Sequence, residues 1–165
     1  MILGMSTGTY TLLHVLISLI GIGSGLMVMY GFLTVKRWDG FNAVFLITTV
    51  LTSVSGFGFP FEHLLPSHKV GLISLAVLAI AIPARYAFHM AGAWRKVYVI
   101  TATIALYLNV FVLVVQAFLK QPNLHALAPT GQEPPFLVAQ VTVMVIFVVL
   151  TIFAVKKFHP ELARA

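Results

Sequence analysis

Five long apolar runs dominate this chain, and short polar segments separate them. None of the runs alternates apolar and polar residues with the period of two that a membrane β-strand shows. Each run is close to the roughly 20 residues that an α-helix needs to cross a hydrocarbon core of about 30 Å. The pattern therefore predicts an all-α integral membrane bundle of five transmembrane helices, forming a single domain over residues 1–165. The predicted spans are about 10–35, 41–59, 70–90, 97–119 and 136–155.

The basic residues predict the orientation of these spans. Most of them lie in three segments that follow the first, third and fifth spans: Lys36, Arg37, Arg95, Lys96, Lys156 and Lys157. With five spans, these three segments share one side of the membrane, and the positive-inside rule makes that side the cytoplasm. The N-terminus is therefore predicted to lie outside and the C-terminus in the cytoplasm.

Composition agrees with a membrane protein. Hydrophobic residues make up 60% of the chain and charged residues only 8%, whereas a soluble domain carries about a quarter of its residues as charges. The net charge of +6 does not predict a nucleic-acid partner, because the basic residues lie at the ends of apolar runs, where they meet lipid headgroups. The lipid bilayer is the expected partner. The absence of cysteine excludes disulfides, thiolate metal sites and iron–sulfur clusters.

One face of the first span is built from small and polar residues. His14, Ser18, Gly21 and Gly25 follow one another at helical spacings of four, three and four. Association of helices in a membrane depends on small residues and polar contacts, because lipid is as apolar as leucine. This face is therefore predicted to pack against another helix, with Gly21 and Gly25 allowing a close approach.

Polar residues of the outer half form a candidate cofactor or metal site. His14, Gln116 and Gln140 lie about one turn below the outer surface, and His63 and His68 lie in the loop just above them. A b-type haem usually takes two histidines at similar depth, so His14 would pair with His68 or His63. A metal ion would use His14 and His68. The alternative is that His14 hydrogen-bonds Gln116, Gln140 or a backbone carbonyl and only ties helices together, while His63 and His68 are solvated loop residues.

A smaller polar group is predicted in the inner half. Arg85 and His89 fall near the inner end of the third span. Arg85 either extends its charge to the headgroup layer or binds, with His89, the head of an anionic lipid or a quinone.

Four segments give the chain a family resemblance: Gly56–Phe61, Leu64–His68, Ala105–Phe111 and Ala128–Thr130. With these segments the chain resembles a family of small, uncharacterised bacterial integral membrane proteins, over most of its length. The resemblance implies a bacterial inner (plasma) membrane setting and implies no activity.

The sequence contains no motif that predicts an enzyme. It has no H-E-x-x-H, P-loop, nucleophile elbow or carboxylate pair. Small size and the lack of a soluble domain predict an accessory or assembly subunit that packs against a larger inner-membrane complex or against further copies of itself. The alternative is a membrane redox or metal protein that binds haem b or a metal ion through the outer histidines. A third possibility is an oligomeric carrier or channel for a small solute.

Overall fold

The computed structural model describes residues 2–60 and 66–159, of which 82% are helical and none forms a strand. The all-helical prediction is therefore confirmed. The helices are α1 Thr7–Thr34, α2 Asp39–Gly56, α3 Pro66–Tyr86, α4 Ala93–Lys120, α5 Pro122–Leu127 and α6 Pro134–Lys157.

Four of these helices, α1, α3, α4 and α6, are long and apolar enough to cross a membrane. They correspond to the first, third, fourth and fifth predicted spans. The second predicted span corresponds to α2, which has 18 residues and is not one of these four helices. Its polarity comes from Asp39 and Asn42 in the first turn and from several threonines and serines further along.

The third span begins and ends earlier than predicted. Residues 70–90 were expected, and the helix is found at Pro66–Tyr86. Proline suits the start of a helix, where its missing N–H costs nothing. The helix ends before the turn in which His89 and Met90 adopt positive φ angles of 49° and 55°. Residues other than glycine rarely adopt such angles. His68 therefore lies in the first turn of α3 rather than in the preceding loop, and His89 lies in the turn after α3 rather than in the span.

Long helices that follow one another in the chain pack antiparallel, whereas α1 and α6 are parallel neighbours. Each of α1, α2, α3, α4 and α6 contacts the next in this order, α6 returns to α1, and α4 also contacts α1. The bundle has two ends. The "basic end" carries Lys36, Arg37, Arg95, Lys96, Lys156 and Lys157, and the "histidine end" carries His14 and His68.

The glycine face of α1 packs as predicted. A Cβ atom added to Gly25 would lie 2.5 Å from Leu106 Cδ1 on α4 and 2.9 Å from the Phe45 ring on α2. At Gly21, the added Cβ would lie 3.1 Å from Thr48 Oγ1 on α2. Since both glycines are buried, the prediction that this face meets other helices is confirmed.

The segment between α4 and α6 is folded. It contains the short helix α5, which was not predicted, followed by a turn. In this turn the Glu133 carboxylate accepts hydrogen bonds from the Thr130 N–H at 3.0 Å and from the Thr130 hydroxyl at 2.9 Å. It also accepts one from the Gln132 N–H at 3.0 Å. Desolvation acts to raise the pKa of Glu133, but these hydrogen bonds outweigh it and lower the pKa below its usual value. Pro134 and Pro135 begin α6, two residues before the predicted start of the fifth span.

Candidate functional site

His14 joins α1 to α2 at the histidine end. Its Nδ1 lies 2.8 Å from the hydroxyl oxygen of Ser55, and its ring meets the edge of Phe59 at 5.2 Å between centroids. One turn earlier, the Tyr10 hydroxyl donates to the Ser55 carbonyl at 2.7 Å. The alternative to a ligand role for His14 was a hydrogen bond to Gln116, Gln140 or a backbone carbonyl. Its partner is instead a side-chain hydroxyl on the neighbouring helix.

His68 lies close to the same part of the chain. It is only 4% exposed in the first turn of α3, and its ring centroid lies 5.4 Å from that of Phe57. Phe57 directly follows α2, and Phe59 beside His14 is two residues further on. The two histidines therefore lie against one short stretch, residues 55–59. His63 lies outside the described residues.

The two glutamines of the predicted outer site are placed differently from each other. Gln140 on α6 is 8% exposed, and its Nε2 donates to the Phe111 carbonyl on α4 at 3.2 Å. Its Oε1 is buried without a hydrogen-bond partner among the residues described. Gln116 is half-buried on α4. Gln140 thus joins α6 to α4, and His14 joins α1 to α2.

Polar contacts also join helices at mid-depth. The Ser53 hydroxyl donates to the Ser74 hydroxyl at 3.1 Å, which links α2 to α3. The Asn109 side-chain amide donates to the Thr49 hydroxyl at 3.1 Å, which links α4 to α2. Inside a membrane each such pair satisfies groups that lipid cannot, so α2 is the helix on which the interior polar contacts converge.

The basic end contains an ion pair between a buried arginine and an exposed aspartate. The Arg85 guanidinium is 3% exposed and donates to the Asp39 carboxylate at the start of α2. It also lies 5.2 Å from the Tyr98 ring centroid and 5.7 Å from that of Tyr86, distances at which a cation is attracted to an aromatic face. Arg85 therefore has partners inside the protein, whereas His89 is exposed in the turn that follows.

A second pair extends this group of residues. The buried Tyr98 hydroxyl donates to the side-chain oxygen of Asn42. The Asn42 amide in turn donates to the Trp38 carbonyl at 3.0 Å, while Arg37 Nε donates to Asp39 at 3.0 Å. These contacts connect the beginning of α2 to the end of α3 and the beginning of α4.

Sequence reasoning missed this basic-end group. Asp39 and Arg85 are 46 positions apart, and Asn42 and Tyr98 are 56 apart. A usable signal was present, however. Arginine within a span needs a counter-ion, and Asp39 lies at the same inner end of the predicted bundle as Arg85.

Arg95 closes the end of α6. Its NH1 donates to the Val155 carbonyl at 3.0 Å and also to the Phe158 carbonyl. The last carbonyls of a helix lack partners within the helix and carry partial negative charge. The buried Arg95 guanidinium donates hydrogen bonds to these carbonyls and balances their charge.

Over residues 2–60 and 66–159, no group of three or more histidine, aspartate or glutamate side chains could hold a metal ion. His14 and His68 remain the predicted ligand pair for a haem or a metal. The fold and its four apolar helices indicate a multi-pass helical membrane protein. Comparisons with known protein families, with curated proteins and with solved structures gave no match to the chain.

Proposed function

We propose that this chain is a five-span accessory or assembly subunit of a bacterial inner-membrane complex. The observation that carries the proposal is the use made of its interior polar side chains. His14, Ser53, Arg85, Tyr98 and Asn109 each bond a residue of another helix. Side chains that could bind a ligand or do chemistry are occupied in holding the bundle together, which favours a packing role.

Two observations support the inclusion of α2 among the spans. Its 18 residues extend about 27 Å at 1.5 Å per residue, close to the thickness of a hydrocarbon core. It also runs beside both neighbours over its length: Asp39 meets the end of α3 at Arg85, and Phe57 meets the beginning of α3 at Gly71. If α3 crosses the membrane, a helix beside it over the same depth crosses too. The distribution of basic residues then supports an outer N-terminus.

Helix α6 is the surface on which we expect a partner to pack. Its buried residues are Gln140, Phe147 and Ala154, spaced by seven, so α6 meets the bundle along one narrow stripe. In its most apolar stretch 11% of residues are buried, against 28–33% in the other three apolar helices. Apolar area gains little by leaving lipid for protein, so this exposure does not by itself require a partner, but it leaves most of the α6 surface available for packing against a further subunit.

Photo-crosslinking in intact membranes tests this role. A benzophenone amino acid at Val148, on the exposed side of α6, is expected to give an adduct of discrete mass with another integral membrane polypeptide or a second copy of this chain. The control is the same amino acid at Ile73 on α3, since the two side chains are similarly exposed at 54% and 53%. Lipid adducts alone at both positions would contradict the proposal.

A second candidate function is a haem or metal site at the histidine end. It is favoured by the contact between His14 Nδ1 and Ser55, because ligating histidines commonly hold one ring nitrogen in a hydrogen bond and bind with the other. Under this function the purified protein would show a Soret band or one metal ion per chain, which His14→Ala removes. A colourless, metal-free protein would eliminate it and leave the accessory role.

A further inference from the structure

A groove runs along the seam between α1 and α2, on the surface that faces away from the rest of the bundle. Its volume is about 650 Å³, and it is largely open to its surroundings. Its lining is almost entirely apolar, with Ile20, Gly23 and Met27 from α1, Gly40 and Phe41 from α2, and Trp38 immediately before α2. From Ile20 to Met27 it extends about 10 Å along the helix axis, beginning near mid-depth and ending at the basic end.

The groove exists because two glycines line it. A Cβ atom added to Gly23 or to Gly40 would meet nothing within 4 Å. On the opposite face of the same helix, Gly21 and Gly25 touch neighbouring helices. The two pairs of glycines therefore have different effects, since one pair allows close helix packing and the other leaves space that no side chain of this protein fills.

Aromatic side chains form the mouth of the groove at the basic end. The Trp38 ring lies 5.6 Å from the Tyr30 ring and 5.6 Å from the Phe41 ring, measured between centroids. The Lys36 ammonium lies 5.6 Å from the Trp38 centroid. Tryptophan and tyrosine prefer the boundary between hydrocarbon and headgroups, so we expect the mouth to lie at the depth of the lipid phosphates.

The charge at this mouth is positive. Lys36 and Arg37 lie there, and the carboxylate of Asp39 is shared between Arg37 and Arg85, whose buried guanidinium faces the interior of the bundle. Lys36 is exposed and is not part of either ion pair. An occupant with an anionic head and an apolar tail matches both the charge of the mouth and the lining of the groove.

We propose that this groove binds one phosphatidylglycerol molecule, with an acyl chain lying over Gly23 and Gly40 and the phosphate beside Lys36 and Trp38. The site is distinct from the residues that hold the bundle together, and it does not depend on the accessory role. Electrostatic attraction selects the anionic headgroup, and the shape of the groove selects an extended hydrocarbon chain.

Native mass spectrometry of the delipidated full-length protein tests the site, with phosphatidylglycerol or phosphatidylcholine added back in equal amounts. One phosphatidylglycerol is expected to stay bound under conditions that strip phosphatidylcholine. Gly23→Leu fills the groove and should weaken retention by about tenfold or more, because it removes the tail contacts that the groove supplies. Gly8→Leu is the matched control, since Gly8 lies in the exposed first turn of α1, away from the groove.

A second arm tests the headgroup. Lys36→Gln should weaken phosphatidylglycerol binding about fivefold, given the usual effect of one basic residue near a membrane surface, and leave phosphatidylcholine unaffected. Lys69→Gln at the histidine end is its control. Gly40→Leu blocks the groove from the other helix. If Gly23→Leu fails to fold, phosphatidylglycerol retention by Gly40→Leu still tests the site.

Unchanged phosphatidylglycerol retention in the folded blocking variants would overturn the proposal, as would equal retention of the two lipids by the unaltered protein. A dimer that Gly23→Leu abolishes would also overturn it, by showing that a second copy of the chain occupies the groove.

Discussion

Gly25→Leu is expected to destabilise the bundle strongly. An added Cβ at this position already lies 2.5 Å from Leu106 and 2.9 Å from the ring of Phe45, which is 1% exposed. Overpacking a closely packed interior typically costs about 1–3 kcal/mol, and the full leucine side chain should bring the loss to about 3 kcal/mol or more. Leu106 and Phe45 are each 1% exposed and have little room to turn away, so the helices are expected to move apart, which also strains the neighbouring contact between Gly21 and Thr48.

The matched control is Gly23→Leu, two residues earlier in the same helix, where an added Cβ meets nothing within 4 Å. Both variants gain the same helix propensity, so in delipidated protein, where the groove holds no lipid, the difference between them reports packing alone. Thermal unfolding in detergent should show a much lower midpoint for Gly25→Leu and a nearly unchanged one for Gly23→Leu. Equal midpoints would show that α1 does not pack through this face.

The second large effect is expected at the ion pair between Asp39 and Arg85, and it should be asymmetric. Asp39→Ala leaves the buried Arg85 guanidinium without its counter-ion. Losing one partner of a fully buried pair costs about 3–5 kcal/mol. We expect about 2 kcal/mol here, because the Asp39 side chain is 65% exposed and water screens part of the interaction.

Arg85→Met should cost less, about 1 kcal/mol or below, because methionine packs well in a buried site and the exposed Asp39 carboxylate keeps both Arg37 and water as partners. The double variant should be about as stable as Arg85→Met alone. Unfolding free energies of the three variants form a double-mutant cycle. If Asp39→Ala and Arg85→Met cost the same and their effects add, the pair does not hold α2 to α3.

The helical part of the fold was predictable because it depends on local properties of the chain. The length of the apolar runs predicted all five long helices, and the spacing of Gly21 and Gly25 predicted a packing face. The end of α3 was not predictable from the same pattern. Ala87 and Phe88 continue the apolar run, whereas the helix stops because the backbone turns at His89 and Met90.

The contacts of the candidate sites were less predictable, because they depend on how each helix is rotated about its axis. Depth along the membrane suggested that His14 would meet Gln116 or Gln140. The rotation of α1 toward α2 gives it Ser55 instead. Likewise, Arg85 was assigned to headgroups because a sequence shows depth but not rotation, and the structure turns its guanidinium toward Asp39 and Tyr98.

The central claim is that α2 crosses the membrane, so that the basic end and the histidine end lie on opposite sides with the histidines outside. The chain contains no cysteine, so single cysteines can be introduced and labelled with an impermeant maleimide in intact cells. Exposed positions are available at both ends: Ser6, Ser67 and Gln132 at the histidine end, and Thr34 and Ala91 at the basic end.

Cysteines at Ser6, Ser67 and Gln132 should react in intact cells, and those at Thr34 and Ala91 only after the membrane is permeabilised. Labelling of Thr34 and Ser67 from the same side would show that α2 does not cross. Complete reversal of the pattern would place the histidines in the cytoplasm and contradict the proposed orientation.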